Sequence, residues 1–225
     1  MSLPSRGASL LRLLGVGPSA QAHLSVGQRD ALLMGLRRHV LGSQVDGVMD
    51  CPACQEQLEL SFDLDDVLVE PPGDPGENLD LIIDGCMLRA RPPKASDLLL
   101  IIEGADPRTD LRMALIEKCV LESKQGDLVL PVRELPEAVL TRLAEILAEA
   151  DPQADVHFEV RCPACGHSWT AIFDILAFFW SELEVWGRRL LFEVHTLASA
   201  YGWREVDILG MSGRRRAQYL ELVRR

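Results

Sequence analysis

The feature that most restricts this chain is a tetrapeptide that occurs twice, Cys51-Pro52-Ala53-Cys54 and Cys162-Pro163-Ala164-Cys165. Each copy separates two thiols by two residues, the spacing at which a tight turn directs both sulfurs to one metal ion. Together the copies supply four thiolates, the ligand set of one tetrahedral structural zinc ion. The likeness extends past the cysteines. At an offset of 111 positions Leu58 aligns with Trp169, Phe62 with Phe173, Asp63 with Asp174 and Leu64 with Ile175. Each copy reads as strand, knuckle, strand and acidic helix start, so the two are expected to be the halves of one zinc ribbon joined across the middle of the protein.

The long separation is a weak objection to a shared ion. Compact zinc fingers place their pairs about 12–20 residues apart, whereas Cys54 and Cys162 lie 108 positions apart. Closing the longer loop adds on the order of 1–2 kcal/mol of chain entropy, against roughly 10–16 kcal/mol of apparent binding energy for structural zinc in small peptides. A thioredoxin-like dithiol wants its first thiol at a helix N-terminus, but strands follow both pairs here, and one disulfide centre needs no matched second one. Iron in a rubredoxin-like site remains open on sequence grounds. A catalytic zinc keeps an open position, and four sulfurs leave none. His167 aligns with Glu56, which is no ligand in such knuckles, so it is expected beside the site or on the surface. The chain contains no Gly-rich phosphate loop, HExxH motif or GxSxG elbow, and no enzymatic activity is expected.

The other two cysteines, Cys86 and Cys119, stand in apolar surroundings as buried Cys does, and the usage suits a reducing, cytoplasmic compartment. The 34 acidic against 23 basic residues give a net charge of -11, a field that opposes nucleic acid and anionic membranes as partners. No run of eighteen apolar residues occurs, and Leu10 to Val16 is broken by Arg12 and flanked by glycines, which suits neither a membrane span nor an export signal.

Four segments follow in order. Residues 1–24 are expected to be a flexible arm. Residues 25–70 hold a helix, with capping-box spacing at Ser25 and Gln28 and a stop at Gly42, and then the first ribbon half with Leu58, Leu60 and Phe62 alternating. Residues 71–154 form a hairpin and helical insert. Pro71 to Gly76 mark a surface loop, and Asp84-Gly85 turns a hairpin between Leu79–Ile83 and Cys86–Ala90. Helices are expected from Ser96 through Ile102, from Asp106-Pro107 through Leu121, and from Pro136 to Ala150. Residues 155–225 hold the second ribbon half and the C-terminal helices. The fold class is α+β.

The last third carries eleven of the twelve Phe, Trp and Tyr residues. Leu176, Phe179, Leu183, Trp186, Leu190, Val194, Leu197 and Tyr201 step by three or four, drawing one stripe along a helix of about seven turns. A second stripe, Phe178, Val185 and Phe192, lies off the first. The helix is either the centre of the fold or covered in part by another protein at Phe178, Phe179 and Trp180. Trp203 to Leu209 and a segment capped by Ser212 give two short helices, and Arg214, Arg215 and Arg216 read as a solvated face or a docking charge.

These residues resemble one family. Leu-Arg-Arg-His-Val-Leu-Gly ending the first long helix, Asp-Gly-Val-Met-Asp-Cys-Pro-Ala-Cys, then Cys-Pro-Ala-Cys-Gly-His-Ser-Trp and Phe-Phe-Trp-Ser-Glu-Leu are similar to the baseplate hub assembly chaperone family of T-even-type contractile phages and extracellular contractile injection systems. Glu193 to Ala198, Tyr201 to Leu209 and Arg214 to Leu220 resemble its C-terminal signature. The resemblance covers residues 25–70 and 155–225 well and the insert in outline. It implies a non-enzymatic, zinc-stabilised assembly chaperone or minor component of a baseplate hub, whose partners are hub or spike-adaptor proteins. A zinc-ribbon nucleic-acid-binding regulator and a dithiol oxidoreductase remain as alternatives.

Overall fold

The computed structural model describes residues 3–69, 78–104, 106 and 109–224. The expected Pro71–Gly76 loop and Pro107 lie outside the described residues. The chain divides into two compact units, Met1–Leu176 and Ala177–Arg225.

The first unit corrects the flexible arm. Helices α1 (Leu3–Leu13) and α2 (Pro18–His23) occupy that stretch, and Leu10 and Leu11 are buried. The Gln21 side-chain amide donates to the carbonyls of Ala8 and Val16 at 3.2 and 2.7 Å, fastening α2 to α1. Two buried leucines and this clip outweigh the glycine-rich composition that suggested a loose chain.

Helix α3 (Val26–Leu41) starts on the expected capping box, with Ser25 and Gln28 exchanging side-chain and backbone hydrogen bonds. At its other end the buried Arg37 donates to the carbonyls of Gly42 and Gln44 at 2.7 and 2.6 Å. It thereby satisfies acceptors that a helix C-terminus leaves open. Strands β1 (Gln44–Asp50) and β2 (Gln57–Asp63) follow as an antiparallel hairpin.

The insert is more sheet than expected. Strands β3 (Leu79–Ile83) and β4 (Cys86–Ala90) pair through the Asp84-Gly85 turn, whose φ values of 48° and 78° are the left-handed pair that such a turn requires. Helix α4 (Ala95–Gly104) and helix α5 (Leu111–Cys119) come next. Asp110 rather than Asp106 caps α5, accepting the amide of Met113 at 3.1 Å. The helix expected to run through Leu121 stops at Cys119. Val120–Gln125 is strand β5, paired along β4, and β6 (Leu128–Val129) completes a four-stranded antiparallel sheet. The β-branched Val120, the turn at Gly126 (φ 59°) and the open edge of β4 outweigh helical continuation there.

Helix α6 (Glu137–Ala150) covers this sheet. Ile83, Cys86, Leu88 and Ala90 from the strands meet Ile116 and Cys119 of α5 and Val139, Leu140, Leu143 and Leu147 of α6 in one buried core. Each large aliphatic side chain there contributes about 1.5–3 kcal/mol relative to exposure. Arg91 and Asp97 clasp the start of α4 in a bidentate pair at 2.7 and 3.1 Å. The chain then returns as the hairpin β7 (His157–Arg161) and β8 (Ser168–Ile172) and enters α7 (Ile175–Tyr201), within which the unit boundary falls.

The second unit comprises the rest of α7 with α8 (Glu205–Leu209) and α9 (Gly213–Val223). Val194, Leu197 and Ile208 form its core, flanked by Trp203, Tyr219 and Leu220. Trp203 stacks on Tyr201 at 4.5 Å and meets Tyr219 edge-on at 4.8 Å. The main stripe of α7 is therefore buried at Leu197 but open at Trp186, which is 54% exposed. Among the described residues, no helix is long and apolar enough to cross a membrane.

Candidate metal centre

The two knuckles repeat each other hydrogen bond by hydrogen bond. The Cys51 amide donates to the Glu56 carbonyl at 2.8 Å and the Gln55 amide to the Cys51 carbonyl at 2.9 Å. At the same offset of 111 positions, the Cys162 amide donates to His167 at 2.8 Å and the Gly166 amide to Cys162 at 2.9 Å. The strand registers also correspond, with Asp50 opposite Gln57 and Arg161 opposite Ser168. Each turn needs one residue in the left-handed region. Gly166 (φ 75°) takes that role without strain, while its counterpart Gln55 (φ 61°) takes it with a side chain whose amide donates to the Cys51 carbonyl at 3.3 Å.

This geometry brings the four sequence-expected cysteines together. Cys51 and Cys162 are buried, Cys54 and Cys165 are exposed, and none forms a disulfide. The inner sulfur of each knuckle lies against the outer sulfur of the other, Cys51 Sγ to Cys165 Sγ at 3.7 Å and Cys54 Sγ to Cys162 Sγ at 3.7 Å. All four lie within 4.8 Å of one another. A metal with sulfur bonds of about 2.3 Å sets the edges of its tetrahedron near 3.8 Å, so the cluster can hold a metal ion with little adjustment.

Backbone dipoles prepare the sulfurs for that charge. Burial works to raise the Cys51 thiol, but the amides of Cys54 and Ala53, with the Cys54 and Cys165 sulfurs, hold it down to about 7. At Cys54 the Glu56 amide pulls downward, yet the Cys165 sulfur, burial and the other two thiols push it up to about 12. Thiols packed this closely resist sharing more than one negative charge, and a cation resolves the conflict. An ion bound tetrahedrally by these four sulfurs would cross-link two segments of the chain that lie far apart in sequence.

The far ends of the hairpins are closed by aromatic rings. Phe62 meets Phe158 at 4.7 Å and its own counterpart Phe173 edge-on at 5.1 Å. The two hairpins remain separate sheets, bridged by the sulfur cluster at one end and by this phenylalanine trio at the other. His167 is exposed, with its ring stacked on Trp169 at 5.9 Å. The outward positions of β1 and β2 carry Asp46, Asp50 and Glu59, and neither strand contains a Lys or Arg. That face repels phosphate.

Of the aromatic residues expected to meet a partner, Phe179 is 1% exposed and so closed to one, whereas Phe178 and Trp180 are half-buried. The Trp180 ring amide donates to Glu184 at 2.7 Å. Two residues that tie the segment after α6 to the start of α3 and to the chain that follows β2 escape sequence reasoning. Asp151 accepts the Gly27 amide at 2.9 Å. Gln153, buried, accepts the Val69 amide at 2.8 Å and donates to the Val67 carbonyl at 3.2 Å. The alignment of Gln55 with Gly166 was the available signal for the strained turn; no local pattern marks Gln153.

No curated protein and no solved structure matches this chain. The family described as T4 bacteriophage base plate protein matches residues 15–180, nearly three-quarters of the length, spanning both knuckles, the whole insert and the start of α7; the chain belongs to that family.

Proposed function

We propose that this protein is a non-enzymatic assembly chaperone or minor component of the baseplate hub of a contractile phage or tail-like injection system, acting by protein–protein binding in the cytoplasm. One structural zinc ion held by Cys51, Cys54, Cys162 and Cys165 closes its ribbon. The observation that carries the reading is the four-sulfur cluster, drawn from both ends of a segment that the baseplate family spans. A tetrahedral four-sulfur set suits zinc, and elemental analysis of the purified protein separates zinc from iron on the same four sulfurs.

Its clients are hub or spike-adaptor proteins. With Phe179 buried, the contact surface at the start of α7 is left to the half-buried Phe178 and Trp180, the latter on the same helix side as the 63% exposed Leu191. Nucleic acid is not a partner in this reading. Arg216 is committed to Glu193 at 3.1 Å, Arg215 lies over the Tyr219 ring, and the outer face of the first hairpin is acidic.

Co-expression with hub and spike-adaptor proteins of the same tail tests the proposal. A stable complex containing about one zinc per chain, weakened by Trp180→Ser with the far-UV spectrum unchanged, is expected. Failure to bind any of them, or retention on DNA with a steep salt dependence, would overturn it.

A further inference from the structure

We propose that the outward side of α9 is a docking surface for an acidic segment of a partner protein, with Arg214 and Arg215 holding its carboxylates beside Tyr219 and Leu222. Three consecutive arginines lie in the first turn of the helix, and each has a different setting. Arg216 is turned inward, with its side chain 13% exposed, where it pairs with Glu193 at 3.1 Å and donates to the Met211 carbonyl at 3.0 Å. It thereby pins α9 to α7. Arg215 lies over the Tyr219 ring at 5.8 Å, a stacking contact that steadies the guanidinium. Arg214 is exposed and makes no ion pair among the described residues. At about 100° per residue, Arg214, Arg215, Gln218 and Leu222 share one side of the helix. With Ser212 and Tyr219 they line a shallow hollow that contains no carboxylate. Leu222, 56% exposed, gives the hollow an apolar end. Glu221, the one acidic side chain of α9, lines a separate groove with Phe192 and Leu220.

Charge sets the kind of occupant. Residues 177–225 carry eight basic against six acidic side chains, whereas residues 1–176 carry 15 against 28. An anionic ligand is therefore drawn to the second unit, and within it to the hollow that has arginines and no carboxylate. Two planar guanidiniums suit a pair of carboxylates, which they bind through parallel hydrogen bonds. A nucleic-acid backbone is matched less well. Two arginines neutralise about two phosphates, which leaves a net charge of -11 repelling the rest of a duplex. The exposed Leu222 favours an apolar side chain next to the acidic ones.

On the protein-binding reading above the acidic segment belongs to a client, but the surface is defined by α9 alone, and a synthetic probe tests it separately from capture of hub proteins. In fluorescence anisotropy on the full chain at low salt, a labelled Glu-Glu-Leu-Glu-Glu-Leu peptide should bind with a dissociation constant of about 100 µM or tighter, and its glutamine counterpart should not bind. Arg214→Glu with Arg215→Glu, both at exposed positions, should weaken binding at least about tenfold with the far-UV spectrum unchanged. The same charge change at the exposed Arg12 and Arg188 should leave it within about twofold. A native chain that does not bind the acidic peptide, or binding indifferent to Arg214→Glu with Arg215→Glu, would overturn the proposal. So would equal loss in both double variants, or tighter retention of a duplex DNA of about 20 base pairs than of the peptide.

Discussion

The Asp151 carboxylate reaches across 124 positions to accept the Gly27 amide at 2.9 Å, and it fits only because residue 27 has no side chain. A Cβ there would lie 2.1 Å from Asp151 Oδ1 and 2.9 Å from the Ala154 amide nitrogen. The contact places a negative charge at the N-terminus of α3, where the helix dipole favours it, and completes the first turn. The Val26 amide goes to Pro93, that of Gln28 to Ser25 Oγ, and that of Arg29 to the Ser25 carbonyl.

Gly27→Ala should therefore destabilise by at least about 2 kcal/mol, because backbone and a buried carboxylate must both give way. Asp151→Ala should cost about 1–3 kcal/mol by leaving the Gly27 amide unpaired. Chemical denaturation reads both. A Gly27→Ala protein of native stability would show that Asp151 can swing aside.

Removal of a metal held by the four cysteines should loosen the two hairpins and spare the insert. The core built on β3, β4, α5 and α6 contains none of the four ligands. After chelation, amide exchange should accelerate at Cys51 and Cys162 and along both hairpins, while β4 and α6 remain protected. Global loss of protection would mean that the insert depends on the ion.

Thiol labelling should separate the cysteines into classes. Burial pushes the Cys119 thiol up to about 12, with Arg91 only partly opposing it, and Cys86 is equally enclosed. Iodoacetamide should leave both untouched until the chain unfolds, and should reach the four knuckle thiols once the metal is stripped. Mass spectrometry of labelled peptides checks the division.

The unequal knuckle turns make a paired prediction. Gln55→Gly should be neutral or stabilise by up to about 1 kcal/mol, since it removes a side chain from a left-handed backbone. Gly166→Gln should destabilise by about 1 kcal/mol or more. Thermal melts of the metal-loaded protein measure both.

Acid should act through Asp97. Its burial raises the carboxyl, but the bidentate Arg91, the Lys94 amide and the nearby Lys94 charge hold it below its ordinary 3.8. A depressed folded value means the contribution is present above that ordinary value and lost as pH falls through the folded one. Asp97→Asn should flatten the drop in unfolding free energy below about pH 4. Asp30 works in the other direction: burial raises it despite Arg29, with Asp174 and Asp151 adding to the rise. Its folded form favours the proton, so Asp30→Asn should raise stability at neutral pH.

The site was more legible in the sequence than its setting was. Cys51, Cys54, Cys162 and Cys165 are marked by spacing and duplication, and the Asp84-Gly85 turn and the Ser25 cap are local chemistry that reads without context. Strand β5 was not legible, because Val120 to Gln125 becomes a strand only when the edge of β4 is there to receive it. The anchoring of α1, the buried Arg37 and the two polar links from Asp151 and Gln153 are likewise tertiary events. So is the enclosure of Phe179, which periodicity placed on an apolar stripe without showing which part of that stripe would be covered.

The separation of the two knuckles also imposes an order of events during synthesis. At about 5–20 residues per second, the second pair of cysteines leaves the ribosome roughly 5–20 s after the first. In that interval the β4–α6 core is complete in sequence and can fold, while the N-terminal hairpin has neither the phenylalanine partners nor the remaining sulfurs that would hold it closed. An ion bound by the four cysteines would thus be the last clasp fastened on the first unit, and a nascent chain truncated before Cys162 should carry a finished insert with an open hairpin.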